Sequence, residues 1–201
     1  MAITRLNNNS ITSITALPSA VQNTGLVKIA SVTASNQQYV TFDGDFSSTY
    51  DNYKLFANNI VASTTGSLLY MRFRKNNADV TSSNYVYVVN GAIRNISTDS
   101  SGNTYNAGEN TFGRVNGDVD TSNNADYALN LVGYIANPLG TDSFKQFSFQ
   151  HSGIDDSTIH FGTYNGSVWY KGDTEAISGF SFYFSSGNIL SGNFTLYGLT
   201  K

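Results

Sequence analysis

The chain of 201 residues contains no cysteine, only two prolines and two histidines, and only two glutamates among its 14 acidic residues. Without cysteine there is no disulfide framework, no thiol nucleophile and no cysteine-ligated zinc site. His151 and His160 are the two imidazoles, which leaves little room for a histidine base beside a nucleophile. We therefore expect stability to come from packing and from association between subunits.

Charged residues are also scarce, at 12% of the chain. The formal net charge is −3 and the isoelectric point is about 5.1. The densest basic run is Arg72, Arg74 and Lys75, which is too short for a nucleic-acid-binding face. No apolar run reaches the roughly 18 residues that span a bilayer, and the opening MAITRLNNNS lacks the parts of a secretion signal. The sequence predicts no nucleic-acid partner, no membrane association and no signal peptide.

What is abundant points to an all-β fold. The chain has 24 Asn, 25 Ser, 20 Thr and 18 Gly, together with 13 Phe and 13 Tyr. These residues favour strands and turns over helices. Strand-like runs follow one another every 8 to 12 residues, which is typical of an antiparallel sandwich or barrel. We predict one β-sandwich domain over residues 26–201, with strands near 26–33, 38–42, 52–60, 68–74, 84–90, 127–135, 144–151, 157–164, 167–172, 177–184 and 192–199.

The run 177–184 shows the alternation most clearly. Phe180, Phe182 and Phe184 fall on one side of a strand, opposite Ser181 and Tyr183. One side of this strand should therefore face the core and the other should be wetter.

Residues 1–25 are predicted to form an extended N-terminal arm. Apolar residues recur every three to five positions, but the residues between them are poor helix formers. Two interpretations stay open, a floppy terminus and an arm that docks on a neighbouring subunit. The candidate partner-binding residues of the arm are Ile3, Leu6, Ile11, Ile14 and Leu17.

A polar stretch at about residues 91–125 reads as a long insertion. It has few apolar anchors, and a connection of this length in a domain is generally functional or disordered. The open interpretations are a loop ordered by a partner or ligand, a mobile excursion, and short strands that the pattern does not resolve.

The dipeptide Asn165-Gly166 predicts a tight hairpin, because a type I′ turn needs positive φ at both central residues. The flanking runs are TIHFGTY and SVWYKG. The resulting register places four residues on the core face: Phe161, Thr163, Val168 and Tyr170.

The opposite face of this hairpin carries a candidate exposed aromatic patch of His160, Tyr164 and Trp169, with the bare backbone of Gly162 beneath the indole. Three interpretations stay open for Trp169. It covers a strand glycine, it contacts another subunit or packed loops, or it forms a platform on which a glycan stacks.

No catalytic or metal-binding constellation emerges from the sequence. No nucleophile-elbow, zinc-protease, phosphate-loop or dinucleotide-binding pattern is present. The stretch DVDTSNNAD resembles the start of a calcium loop, but Asn123 and Leu129 occupy the places of the expected Gly and Glu. We predict no catalytic residue, no metal site and no cofactor.

Four segments carry a resemblance to a known family: the ending ISGFSFYFSSGNILSGNFTLYGL, the middle segments YDNYKLFANNI and LLYMRFRKNNADVTSSNYVY, and the opening ITRLNNNSITSITALPSAV. They resemble virion structural proteins of tailed bacteriophages of the marine or cyanobacterial type. The resemblance implies a jelly-roll-like β-sandwich, usually trimeric, that serves as a head decoration, a cement or a short fibre or appendage. It brings no catalytic residues with it.

The expected function is therefore non-enzymatic. We expect a virion protein, assembled in the host bacterial cytoplasm, that binds capsid or tail subunits and forms a homo-oligomer, with a trimer favoured. The alternative is a glycan-binding host-recognition module at a tail fibre tip, for which the outward aromatic residues would be the site.

Overall fold

A computed structural model of the chain describes residues 25–95, 101–117, 121–155 and 160–200. These residues form an all-β structure whose one helical segment is the 3-10 turn Ala125–Tyr127. The strands are β1 Leu26–Gln37, β2 Val40–Asp43, β3 Tyr50–Ala62, β4 Leu69–Lys75, β5 Ala78–Asp79, β6 Tyr85–Asn95, β7 Ser101–Asn110, β8 Gly113–Arg114, β9 Leu129–Ala136, β10 Lys145–Asp155, β11 His160–Tyr170, β12 Gly179–Phe184 and β13 Ile189–Thr200. Within this part of the chain, no helix has the length and apolar character to cross a membrane.

The strands form two antiparallel sheets. The eight-stranded sheet has the order β1-β13-β3-β9-β10-β11-β6-β7, and the five-stranded sheet has the order β2-β12-β4-β5 with β8 on β4. Non-consecutive neighbours such as β13 and β3 show that the chain crosses repeatedly between the sheets. The all-β, antiparallel prediction is confirmed at this level.

Phenylalanine rings pack the two sheets against each other. Phe180, Phe182 and Phe184 of β12 are buried, as the alternation predicted. The Phe182 ring lies 5.8 Å from that of Phe147 on β10 and 5.9 Å from that of Phe194 on β13, measured between centroids. Such pairs add about 0.5–1.5 kcal/mol each beyond the area they bury. The core therefore lies between the sheets, and each sheet keeps an outer face.

The predicted Asn165-Gly166 hairpin is wrong. β11 passes straight through both residues and pairs along its whole length with β10 and β6. Gly166 lies opposite Phe149, and a Cβ placed on it would stand 2.4 Å from Cζ of that ring. This glycine makes room for a core ring rather than for a turn.

Because β11 does not reverse at Asn165, the residues before Asn165 lie on the opposite side of the sheet from the one predicted. Phe161 and Thr163 are exposed on the outer face, whereas Tyr164 lies in the core. The assignment after the turn holds, since Val168 and Tyr170 are buried. A strand that continues keeps the alternation of period two that a hairpin would have broken.

Most of the described part of the predicted insertion at about 91–125 belongs to the sheets. β6 extends to Asn95, and β7 pairs with β6 at the edge of the eight-stranded sheet. Val115 and Gly117 are buried, the first with 0% exposure. The stretch is poor in apolar residues because β7 is an edge strand with only one half-buried side. Of the open interpretations, the structure favours short strands.

The predicted N-terminal arm lies outside the described residues, apart from Gly25. Its candidate partner-binding residues, Ile3, Leu6, Ile11, Ile14 and Leu17, stay a prediction.

Candidate functional site

Part of the outer face of the eight-stranded sheet is neutral where β9, β10, β11 and β6 lie side by side. We call this part the amide face and define it by two adjacent rows of outward side chains; Arg94, which also faces outward from β6, lies outside these rows. The register gives the two rows across the four strands. One row is Tyr134, Ser148, Ser167 and Val88, and the next is Val132, Gln150, Asn165 and Asn90. None of these side chains carries a charge.

A groove of about 520 Å³ crosses the amide face. Its floor follows the row of Ser148, Ser167 and Val88, which are half-buried small side chains. The lining residues are Val88, Asn90, Tyr134, Ser148, Phe149, Gln150, Asn165, Gly166, Ser167 and Trp169. We call this depression the Trp169 groove.

The groove is bounded by large side chains on both sides of the small ones. Along β11, Trp169 and Asn165 flank Ser167, so the two walls stand about 13 Å apart at Cα. Tyr134, with 44% of its surface exposed, stands at the β9 end of the floor row. Nζ of Lys54 lies 5.0 Å from the centroid of the Tyr134 ring, on the side of β3. The groove is therefore built on rigid paired strands rather than on loops.

The structure separates the three residues of the predicted aromatic patch. Trp169 points outward and lines the groove, His160 is half-buried at the start of β11, and Tyr164 is fully buried. The Tyr164 ring fills space that two glycines leave open, since a Cβ on Gly91 or Gly117 would stand within 2.4 Å of it. The patch as predicted is thus not one surface, because Tyr164 belongs to the core.

The proposal that Trp169 covers Gly162 is also wrong. Trp169 pairs with Gln146 and Val86, whereas Gly162 lies on the inner side and pairs with Gly153 and Ile93. The two residues are separated by seven positions of one strand and face opposite sides. This leaves the subunit contact and the ligand platform as interpretations of the indole.

His151 lies beneath the amide face, in the core. Its ring stacks on that of Tyr164 at 5.1 Å between centroids, and its Nε2 accepts a hydrogen bond of 2.9 Å from the backbone N–H of Gly117. Burial, with a smaller contribution from the nearby Arg114 guanidinium, lowers the pKa of His151 to about 3. The imidazole is therefore neutral, and its visible role is to pack and to satisfy a buried backbone donor.

A second candidate surface lies on the outer face of the five-stranded sheet. We call it the tyrosine–arginine cluster. Its members are Tyr39, Tyr70, Arg72, Phe112 and Tyr183.

The cluster is held together by ring contacts. The Tyr70 and Phe112 rings stack at 3.9 Å between centroids, and the Arg72 guanidinium lies 4.7 Å from the centroid of Tyr183. Nε of Arg72 also donates a hydrogen bond of 2.8 Å to the carbonyl of Thr111. Burial raises the pKa of Tyr183 to about 12, so this phenol stays protonated at neutral pH. The cluster presents a fixed cation among aromatic rings.

An ion-pair network borders the cluster. Arg74 bridges Asp43 at 2.8 Å and Asp79 at 2.5 Å, and Ser181 donates to Asp79 at 2.9 Å. Burial opposes ionisation of Asp43, but hydrogen bonds from Ser178 and Arg74 outweigh it and lower the pKa of Asp43. The charged groups at this end of the sheet therefore form ion pairs with one another.

The calcium-like stretch does not form a site in its described part. Asn124 caps the 3-10 turn, since its Oδ1 accepts a hydrogen bond from the N–H of Asp126. Among the described residues there is no group of three or more His, Asp or Glu side chains that could hold a metal ion. Residues 118–120, which include Asp118 and Asp120, lie outside the described part.

Sequence reasoning missed most of both surfaces. The run QFSFQHS of β10 alternates polar and aromatic residues, and this period of two could have placed Gln150 on the outer face. Nothing local indicates that Asn90 lies beside Asn165, because that neighbour relation comes from the pairing of β6 with β11. Phe112 and Tyr39 reach the cluster from loops, which no periodicity reveals.

Comparisons of the chain with protein-family models, with curated proteins and with solved structures find no match.

Proposed function

We propose that this chain is a non-enzymatic structural protein of a bacteriophage virion, a head decoration, cement or short appendage, and that it acts through contacts between subunits. The observation that carries the proposal is the tyrosine–arginine cluster on the outer face of the five-stranded sheet. The occupant that we propose for this face is a second copy of the chain, within a homotrimer.

The composition of the cluster supports a protein contact. Tyrosine, phenylalanine and arginine are enriched in interface cores, and Lys and Glu are depleted there. Because Arg72 is already held by the Tyr183 ring and the Thr111 carbonyl, it loses little conformational freedom on binding. Tyr39, with 38% of its surface exposed, adds an aromatic rim residue. These features are those of an interface hot spot.

The resemblance to virion proteins also supports the proposal, because the segments that carry it form neighbouring strands. The segments that carry it include β3 and β13, which pair in the eight-stranded sheet, and β4 and β12, which pair in the five-stranded sheet. The resembling segments therefore lie side by side in both layers. The proposal includes the finer description of a jelly-roll-like sandwich with an N-terminal arm that wraps a neighbouring virion subunit.

Light scattering coupled to size exclusion tests the self-association. We expect the full chain to be a trimer at micromolar concentration and Arg72→Ala to shift it toward monomer. Lys54→Ala is the matched control, because it also removes a cation that lies on a ring, 4.8 Å from the centroid of Phe56, but on the other sheet. A monomeric wild-type chain, or a trimer that Arg72→Ala leaves intact, would contradict the proposed interface.

Particle incorporation tests the place in the virion. Mass spectrometry and imaging of intact particles should find the chain on the head or at the tail. Deletion of residues 1–25 should leave a folded domain that no longer joins the particle. Normal incorporation of this truncation would contradict the role of the arm while leaving the cluster to be judged by light scattering.

A further inference from the structure

The Trp169 groove combines aromatic rings, carboxamides and hydroxyls with no charged side chain among its lining residues. We propose that this groove is a binding site for a neutral oligosaccharide. The site lies on the opposite sheet from the tyrosine–arginine cluster, so the proposal goes beyond the assembly function and stands or falls separately from it.

Three carboxamides form one wall of the groove. Gln150, Asn165 and Asn90 are consecutive partners on β10, β11 and β6, about 4.8 Å apart from strand to strand. All three are exposed, and within the described residues no hydrogen bond engages their side-chain amides. Each amide offers both an acceptor and two donors. Neighbouring hydroxyls of a sugar, which also donate and accept, match such a row.

Trp169 forms the opposite wall, and Tyr134 ends the floor. Sugar rings have apolar faces of C–H groups and polar hydroxyls at their edges. A rigid aromatic ring with a polar tip can stack on the apolar face and hydrogen-bond to a hydroxyl. Trp169 is half-buried by its neighbours on the sheet, which limits its motion. The Tyr134 ring lies close to Lys54 on its β3 side while 44% of its surface stays exposed. Both rings are therefore positioned before a ligand arrives.

The floor gives the groove its depth. Ser148 and Ser167 are shorter than the outward residues on either side of them, and Ser167 accepts a hydrogen bond of 3.4 Å from Nε2 of Gln146. The volume of about 520 Å³ falls within the range of small-ligand sites, roughly 300–1,000 Å³. Placement on paired strands keeps such a site precise.

The absence of charge in the lining selects the class of ligand. An anionic sugar, a phosphate or a nucleic acid would need a cation in the groove, and none of the ten lining residues supplies one. Lys54, the cation beside Tyr134, lies between the Phe56 and Tyr134 rings rather than in the lining. A neutral ligand loses less hydration than an ion on entering such a site.

An array of neutral and acidic bacterial surface oligosaccharides, probed with the full chain, tests the proposal. We expect neutral oligosaccharides to bind, with the strongest one then titrated by calorimetry. Trp169→Ala should weaken that binding about tenfold or more, and so should the double variant Gln150→Ala with Asn165→Ala, whose exposed positions leave the fold intact.

Tyr197→Ala is the matched control, since Tyr197 is a half-buried aromatic residue in the row of Tyr134 on the same outer face but outside the groove lining. It should bind the sugar as the wild type does, and Arg72→Ala should too. Absence of any array binding would overturn the proposal, as would binding confined to acidic sugars. A Trp169→Ala variant that keeps full affinity, or that instead changes the oligomeric mass in light scattering, would also overturn it.

Discussion

The two outer faces of the sandwich differ in how their polar groups are satisfied. On the five-stranded sheet, charged side chains bind one another, with Arg74 between Asp43 and Asp79. On the amide face, neutral side chains such as Gln150 and Asn165 point into solvent. The first face is preassembled and suits contact with another protein surface, whereas the second keeps its hydrogen-bonding capacity for a ligand.

The two sheets also differ in the residues on their inner, core-facing sides. Behind the amide face, glycines such as Gly133 and Gly166 leave room for the Phe147 and Phe149 rings of the core. Behind the tyrosine–arginine cluster, Phe180 and Phe182 fill the inner side without facing glycines of that kind on β4. The eight-stranded sheet should therefore be sensitive to added bulk, and the five-stranded sheet to lost charge.

The largest effect is expected from filling a glycine behind the amide face. In Gly166→Val the Cβ would stand 2.4 Å from Phe149 Cζ and 2.7 Å from the Val88 carbonyl oxygen, and backbone cannot move aside easily. We expect a loss of about 3 kcal/mol or more in the free energy of unfolding, measured by urea denaturation. Ser167→Val, one residue on and facing outward, should change it by no more than about 0.5 kcal/mol. Equal tolerance of both substitutions would mean that Gly166 does not face the Phe149 ring.

Removing the central charge of the five-stranded sheet should have a somewhat smaller effect. Arg74→Ala leaves Asp43 and Asp79 unpaired at side-chain exposures of 14% and 16%. Breaking a buried ion pair costs about 3–5 kcal/mol, and partial solvation reduces this to about 2 kcal/mol. Gln150→Ala on the amide face should be nearly neutral in the same urea titration. If Arg74→Ala leaves the free energy of unfolding unchanged, the ion-pair network does not stabilise this face.

Lowering the pH should reduce the free energy of unfolding through a different group in each sheet, His151 in the eight-stranded sheet and Asp43 in the five-stranded sheet. The unfolded chain protonates His151 below about 6.5, but the folded protein holds it neutral down to about 3. The unfolded state therefore binds one more proton in this window, and the free energy of unfolding should fall as pH falls, by about 1.4 kcal/mol per pH unit from this group. His151→Gln, which keeps an acceptor for Gly117, should flatten the slope, and His160→Gln should retain it. A flat wild-type profile from pH 6 to 4 would exclude this role of His151.

Asp43 should act only in stronger acid. Its pKa lies below the ordinary 3.8, so its stabilisation is complete above that pH and is lost as pH falls through the lowered value. In an Asp43→Asn variant, only the loss of stability below about pH 3.8 should diminish, while the slope from His151 persists. The two sheets would thus begin to lose stability at different pH values, the eight-stranded sheet below about pH 6.5 and the five-stranded sheet below about pH 3.8.

Much of the fold could be predicted from local pattern. Alternation placed Phe180, Phe182 and Phe184 inward, and the spacing of strand-like runs located β1, β3, β4 and β13 to within a few residues. These features depend on the period of side chains along one strand, which the sequence contains in full. The candidate surfaces were much less accessible, because Asn90, Gln150 and Asn165 are far apart in sequence and neighbours only across strands.

The amino-acid sequence by itself determined an all-β chain without cysteine chemistry and with an alternating aromatic core. Only the tertiary structure decided that Gly166 lies within a strand and makes room for the Phe149 ring. Glycine is equally suited to a tight turn and to a strand position opposite a large ring, so its presence alone did not distinguish the two. The tertiary structure likewise decided that Tyr164 is core, since a strand that reverses at Asn165 and one that continues assign opposite faces to the residues before it, whereas Trp169 lies on the surface in both cases. Strand pairing between distant segments, which no local pattern encodes, gathers the amides into one row and sets Tyr70 beside Tyr183 next to Arg72.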